Sequence, residues 1–173
     1  ANKINVLLDS YFDRKYNYDP EGSKAYYGPH HIVMDNLYSS YDEAFEESRK
    51  LEKKFDADFS PYLSKEGKGE YEIYGGFYTS AGEAKSLLSE LKSAGYNGAN
   101  VSTNMGNIVV YDEDNNVVLM YSNNLSLYFS SYSSDEGCDM IKIDGKPYRG
   151  FMGFRIIENS KLISINYVGL ESY

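Results

Sequence analysis

Residues 71–84 read Tyr71-Glu72-Ile73-Tyr74-Gly75-Gly76-Phe77-Tyr78-Thr79-Ser80-Ala81-Gly82-Glu83-Ala84, a tyrosine-rich extended run that breaks at a serine three positions before a glutamate. The same pattern occurs forty residues earlier. Setting residues 31–63 over 71–103 aligns Tyr38 with Tyr78, Ser40 with Ser80, Glu43 with Glu83, Ala44 with Ala84 and Leu51 with Leu91. A serine that accepts the amide of the third residue on, while that residue's carboxylate reaches back, opens a helix. Ser40 with Glu43 and Ser80 with Glu83 therefore each predict a helix start.

The first helix carries Tyr41, Ala44, Phe45, Ser48, Leu51 and Phe55 on one stripe, with acids early (Asp42, Glu43, Glu46, Glu47) and bases late (Arg49, Lys50, Lys53, Lys54), as the helix dipole favours. The second carries Ala84, Leu87, Leu88, Leu91 and Ala94, and Gly95 is placed to close it in the left-handed conformation. Each unit then reads as strand, helix, strand. One such unit cannot cover both its sheet and its helix, but two side by side can. The expected α+β fold is a ferredoxin-like βαββαβ domain of four antiparallel strands and two helices, with one side of its sheet uncovered.

Composition narrows the function. Of the 173 residues, 42% are apolar, enough to bury a core in one large domain or two small ones. Twenty-six acidic side chains against 17 basic ones give a net charge of -9, so a nucleic acid backbone is an unfavourable partner. No apolar run reaches the roughly 18 residues of a spanning helix, and no basic-then-apolar signal segment opens the chain, so a soluble protein without a transmembrane segment is expected. Cys138 is the single cysteine, which removes internal disulfides and cysteine metal sites. The 19 tyrosines and 8 phenylalanines, without tryptophan, fit either strand propensity or a ring-lined binding face. Gly75-Gly76 fits a bulge or a close backbone approach, or else a sugar against exposed backbone.

After residue 105 the helical period disappears. Ile108 to Tyr111 and Val117 to Tyr121 flank the turn residues 112–116, Asp144-Gly145 marks a two-residue hairpin after Met140 to Ile143, and Glu158-Asn159-Ser160-Lys161 separates Phe151 to Ile157 from Leu162 to Val168. This half is expected to be mostly sheet. The opening strand Ile4 to Leu8 is expected to pair with it, leaving the repeats as an insertion. The organisation is then residues 1–30 as an N-terminal strand and linker, 31–105 as the repeat pair and 106–173 as a β-rich part.

Two stretches resemble known families. Tyr71 to Ser80 with Glu83-Ala84, Leu91 and Gly95-Tyr96 looks like the sporulation-related repeat, or SPOR domain, and residues 31–66 look like its partner half. That resemblance implies binding to peptidoglycan, in particular glycan strands stripped of stem peptides. Ile73 and Val33 stand where many members have a polar residue, and Asp35 replaces a glycine. Asp144-Gly145-Lys146-Pro147-Tyr148-Arg149-Gly150, then Arg155, then Ile165-Asn166-Tyr167-Val168-Gly169-Leu170-Glu171-Ser172-Tyr173, is similar to the N-terminal part of the stage II sporulation protein D family. That family implies a lytic transglycosylase outside the cytoplasm, whose catalytic glutamate follows beyond the position matching Tyr173. The sequence is therefore expected to be an upstream segment, or a protein that kept the accessory part without the catalyst, with no catalytic residue assigned, and Glu171 belongs to the lead-in.

The candidate glycan-binding residues are Tyr71, Tyr74, Gly76, Tyr78, Asn36 and Arg149, on a sheet side free to meet a polysaccharide. Arg149 suits the lactyl carboxylate of a muramic sugar, and Lys65 and Lys68 are further bases that could offset the negative charge. No metal site is expected, because His30 and His31 point to opposite faces of a strand and cannot easily share an ion with Asp35. Cys138 has no sequence-adjacent histidine to activate it, and no glycine-rich phosphate loop is present, so no cofactor is expected. The expected function is non-catalytic binding of denuded glycan strands in sporulation or wall remodelling, with other wall or sporulation proteins as further partners. The alternatives are a protein-interaction module that has lost its sugar contacts and, third, a self-contained hydrolase.

Overall fold

In the computed structural model, which describes residues 4–9, 29–63, 70–103, 107–114, 116–131, 140–143, 145–157 and 161–169, the chain is rich in strand and carries two helices. Lys65, Lys68, Cys138, Asp144, Glu158 to Ser160, Glu171 and Tyr173 lie outside the described residues. Strand β1 (Ile4–Asp9) opens the chain. The repeated region forms β2 (His30–Val33), α1 (Tyr41–Phe55), β3 (Phe59–Leu63), β4 (Tyr71–Tyr78), α2 (Lys85–Ser93) and β5 (Asn100–Thr103). Then follow β6 (Asn107–Asp112), β7 (Val117–Ser122), β8 (Tyr128–Phe129), β9 (Met140–Ile143), β10 (Lys146–Arg149), β11 (Phe151–Ile157) and β12 (Lys161–Tyr167).

The helix ends show how far local chemistry reaches. Ser40 Oγ accepts the Glu43 amide at 3.2 Å, while the Glu43 carboxylate takes the Ser39 hydroxyl at 3.1 Å. Helix α1 ends on Asp56 in the left-handed region, φ 48°. In the second unit residues 81–84 form a turn, and α2 begins at Lys85 without a side-chain cap. The Glu83 carboxylate instead holds the Thr79 amide at 3.0 Å and hydroxyl at 2.9 Å, and these bonds lower its pKa. Gly95 adopts φ 98°, which lets the Tyr96 amide return to the Leu91 carbonyl at 3.0 Å. Ala84, Leu87 and Leu91 are buried, whereas Ala94 is exposed.

The expectation of a ferredoxin-like domain of four strands and two helices is overturned. The repeat strands do not end in a sheet of their own. They lie in a seven-stranded mixed sheet of order β1-β6-β7-β3-β4-β2-β5, in which β3 pairs in parallel with β7 (Tyr62 with Met120, Leu63 with Tyr121). Strand β1 pairs antiparallel with β6, from Ile4–Asp112 to Asp9–Asn107, so no second sheet separates them from the repeats. Two further sheets, β9-β10 and β8-β11-β12, follow.

The sheet cannot be flat. Only three residues separate Thr103, on edge strand β5, from Asn107 on β6, a reach of about 14 Å. In a flat sheet β5 and β6 would stand five strand spacings apart, about 24 Å. The sheet must therefore roll until β5 approaches β6. Alternation along the strands assigns its two faces. Ile32, Phe59, Ile73 and Val101 point outward under α1 and α2, packing with Ala44, Leu51, Leu87 and Leu91. Beside them on the same side, Ile108, Val110 and Tyr121 pack under Phe129, Phe154, Ile156 and Leu162 of the β8-β11-β12 sheet. Tyr62, Tyr74, Val109, Val117 and Met120 fill the inner side, with Val33 and Phe77.

Helix α1 fastens the join. Where the β6–β7 register shifts between Val110 and Tyr111, the Val117 and Val118 carbonyls accept from Arg49 Nη2 at 3.3 Å and Tyr41 OH at 2.9 Å. Arg49 also pairs with Glu52 at 2.6 Å and lies over the Phe45 ring. Removing a donor leaves a part-buried carbonyl unsatisfied, so Tyr41→Phe is expected to cost about 1 kcal/mol and Arg49→Met about 2 kcal/mol. Urea unfolding followed by far-UV circular dichroism measures both.

Candidate functional site

The structure scatters the six candidate residues instead of gathering them. Tyr71 and Tyr78 are half-buried and pack with the helix-side core, while Tyr74 faces the opposite way and is only 4% exposed. The rolled sheet therefore closes the side expected to be open. Gly76 is buried with φ 70°. Its amide donates to the Asp58 carbonyl at 2.8 Å, and a Cβ there would overlap the Tyr78 ring. Gly75 lies against the Phe59 ring with no room for a Cβ. The β2–β4 register shifts beside this pair, between His30 and Ile32. The two glycines thus serve a bulge and a close packing contact. Asn36 is exposed in the turn before α1, and Arg149 is exposed on β10, in a different sheet.

Inside the roll, Tyr62 stacks on Tyr74 with centroids 4.1 Å apart and planes 9° from parallel, and its hydroxyl donates to Asn107 Oδ1 at 3.2 Å. His31 is wholly buried, its Nδ1 at 2.8 Å from the Gly76 carbonyl, between the Tyr74 and Phe77 rings. His31 therefore holds the bulge, while Asp35 is exposed. Among the described residues no three metal-ligating side chains converge. Among the described residues two carboxyls have raised pKa values. Burial raises that of Glu52, against the opposing pull of the Phe59 amide and Arg49, and burial alone raises that of Glu72.

Among the described residues the most exposed aromatic side chains lie on the outward face of the β8-β11-β12 sheet. Residues 151, 153, 155 and 157 alternate with the inward-facing Met152, Phe154 and Ile156. Phe151 pairs with Tyr167, and Gly153 pairs with Tyr128. Tyr128 is 48% exposed, Phe151 53% and Tyr167 36%. The Tyr128 and Tyr167 rings meet edge to face, 4.7 Å apart, over Gly153, whose missing side chain makes room for both. Arg155 donates to the Ser126 hydroxyl beside them, and its charge acts on the Tyr167 phenol. Reading the sequence missed this face. The signal was in β11, where Phe151 and Ile157 are apolar at outward positions although Met152, Phe154 and Ile156 already supply the core side.

No protein-family model matches this chain, and neither a curated protein nor a solved structure matches it.

Glu72 offers a test of the closed inner side. Its folded-state pKa lies above the ordinary 4.5, so the folded chain binds the proton more readily than the unfolded one. That contribution is full below pH 4.5 and is lost as pH rises through the folded value. Glu72→Gln is expected to raise the urea midpoint over the parent protein at pH 7, with the difference vanishing near pH 4. Equal midpoints at both pH values would show that Glu72 is solvated like a surface carboxylate.

Proposed function

We propose that this chain is a non-catalytic, glycan-binding segment of an extracytoplasmic wall protein related to the lytic transglycosylases of sporulation. The observation that carries this reading is the open aromatic face of Tyr128, Phe151 and Tyr167, the last of which is among the residues that resemble the sporulation protein D family. A tyrosine ring is flat and apolar on its faces and polar at its tip, which suits a pyranose ring lined with hydroxyls. The β11–β12 hairpin that presents the rings is anchored from beneath by Met152, Phe154 and Ile156, so the face is formed before a ligand arrives. Glu52, whose raised pKa would suit a general acid, is already engaged by Arg49 and the Phe59 amide, which favours binding over cleavage.

A second reading is a protein-interaction module. It is favoured by Ile157, 45% exposed, which extends the aromatic face with a purely aliphatic side chain. Co-sedimentation separates the two. The purified chain is expected to be retained on peptide-stripped sacculi, more weakly at high salt, and to release no soluble sugar fragments. Absence of retention at every salt concentration would reject glycan binding in favour of a protein partner.

A further inference from the structure

Resting on the glycan-binding reading, we infer that the outward face of the β8-β11-β12 sheet selects a polysaccharide bearing carboxylates, its rings stacked on Phe151, Tyr128 and Tyr167 and a carboxylate held by Arg155. Charge distribution is the first support. Residues 1–139 carry 12 basic against 23 acidic side chains, whereas residues 140–173 carry five basic against three acidic. The acidic excess lies entirely in the first segment, and an anionic ligand is repelled least at the second. The five bases of that segment are Lys142, Lys146, Arg149, Arg155 and Lys161, and its three acids are Asp144, Glu158 and Glu171.

Geometry is the second support. Arg155 is on the same face of β11 as Phe151 and Gly153, close enough to Tyr167 for its charge to act on the phenol, and its bond to the Ser126 hydroxyl fixes the guanidinium beside the rings. A guanidinium donates from several N–H groups in one plane, so one donor can hold Ser126 while others meet a carboxylate. Arg149 ends β10, in the neighbouring two-stranded sheet, two positions before Phe151 and across the Gly150 kink at φ 82°. A neutral chain of the same rings would use the stacking surface and leave the bases idle. Nucleic acid would also offer rings and negative charge, but its dense phosphates would meet the far larger acidic surface of residues 1–139.

The test compares three ligands on the whole chain: peptide-stripped wall glycan, the same glycan with its carboxylates converted to amides, and soluble chitin oligomers. The parent protein is expected to bind the native glycan roughly threefold more tightly than the amidated form or chitin, the scale of one exposed charge pair. Arg155→Met is expected to erase that preference while still binding all three, and Phe151→Ala with Tyr167→Ala to weaken all three together. Arg155→Lys restores part of the preference, which a loss of folding would not. Equal affinity of the parent protein for native and amidated glycan overturns the inference and leaves glycan binding intact. Failure to bind any of the three overturns both, and a preference for single-stranded DNA over every glycan overturns this one.

Discussion

Three residues between Thr103 and Asn107 govern this architecture. They must join the last strand of the repeated region, at one edge of the sheet, to a strand that pairs near the other edge. A chain of that length cannot cross a flat seven-stranded sheet, so the sheet rolls and one of its faces becomes an interior. Tyr62 then finds itself between two halves of the molecule. It stacks on Tyr74 from β4, donates to Asn107 on β6, and pairs through its backbone with Met120 on β7. The parallel β3–β7 seam spans only two residue pairs, and side chains above and below it supply what its backbone does not. Arg49 and Tyr41 hold β7 from the helix side, while Val109, Val117 and Met120 meet Tyr62 from within.

Rolling also decides where a ligand can be met. A sheet with helices on one side alone would present Tyr74, His31 and Phe77 to solvent, and their rings would form a ready platform. In the rolled sheet those rings pack on one another and on the histidine that holds the Gly76 bulge. Stacking beyond area burial contributes about 1 kcal/mol for such a pair, and a ring committed to the interior is lost to a sugar. The face that stays open belongs to a short three-stranded sheet laid over the outside of the roll. There Tyr128 and Tyr167 cover a glycine instead of a neighbouring strand.

Local elements were legible in the sequence, and their assembly was not. The strand–helix–strand units, the closure at Gly95 and the hairpins β9–β10 and β11–β12 follow from spacings a few residues long. The partnership of β3 with β7 does not, because it joins residues 62–63 to 120–121 through a two-pair parallel contact that leaves no alternation or turn signature. Periodicity also cannot tell a tyrosine facing an interior from one facing water, since both occupy the same register. Tyr74 and Tyr167 illustrate this: each sits in a tyrosine-containing strand, and only the linker from Thr103 to Asn107 makes the first an inside residue. The second helix began four residues later than the repeat implied, at Lys85, because residues 81–84 form a turn in which the Glu83 carboxylate holds Thr79.

Glycine use connects the rolled sheet to the open one. Gly75 and Gly76 admit the Phe59 and Tyr78 rings where side chains would collide, so the tyrosine-rich strand can bend without losing its neighbours. At Gly150 the chain passes against the Tyr167 carbonyl with φ 82°, turning directly from the β9–β10 hairpin into β11. Gly153, two residues on, makes room for the paired rings above it. The first pair of glycines draws aromatic side chains into the helix-covered core, and the second pair leaves them on the surface. What distinguishes the two outcomes is whether another layer covers the strand. Helices α1 and α2 do so on the outward side of β4, and among the described residues no element does so over the outward face of β11.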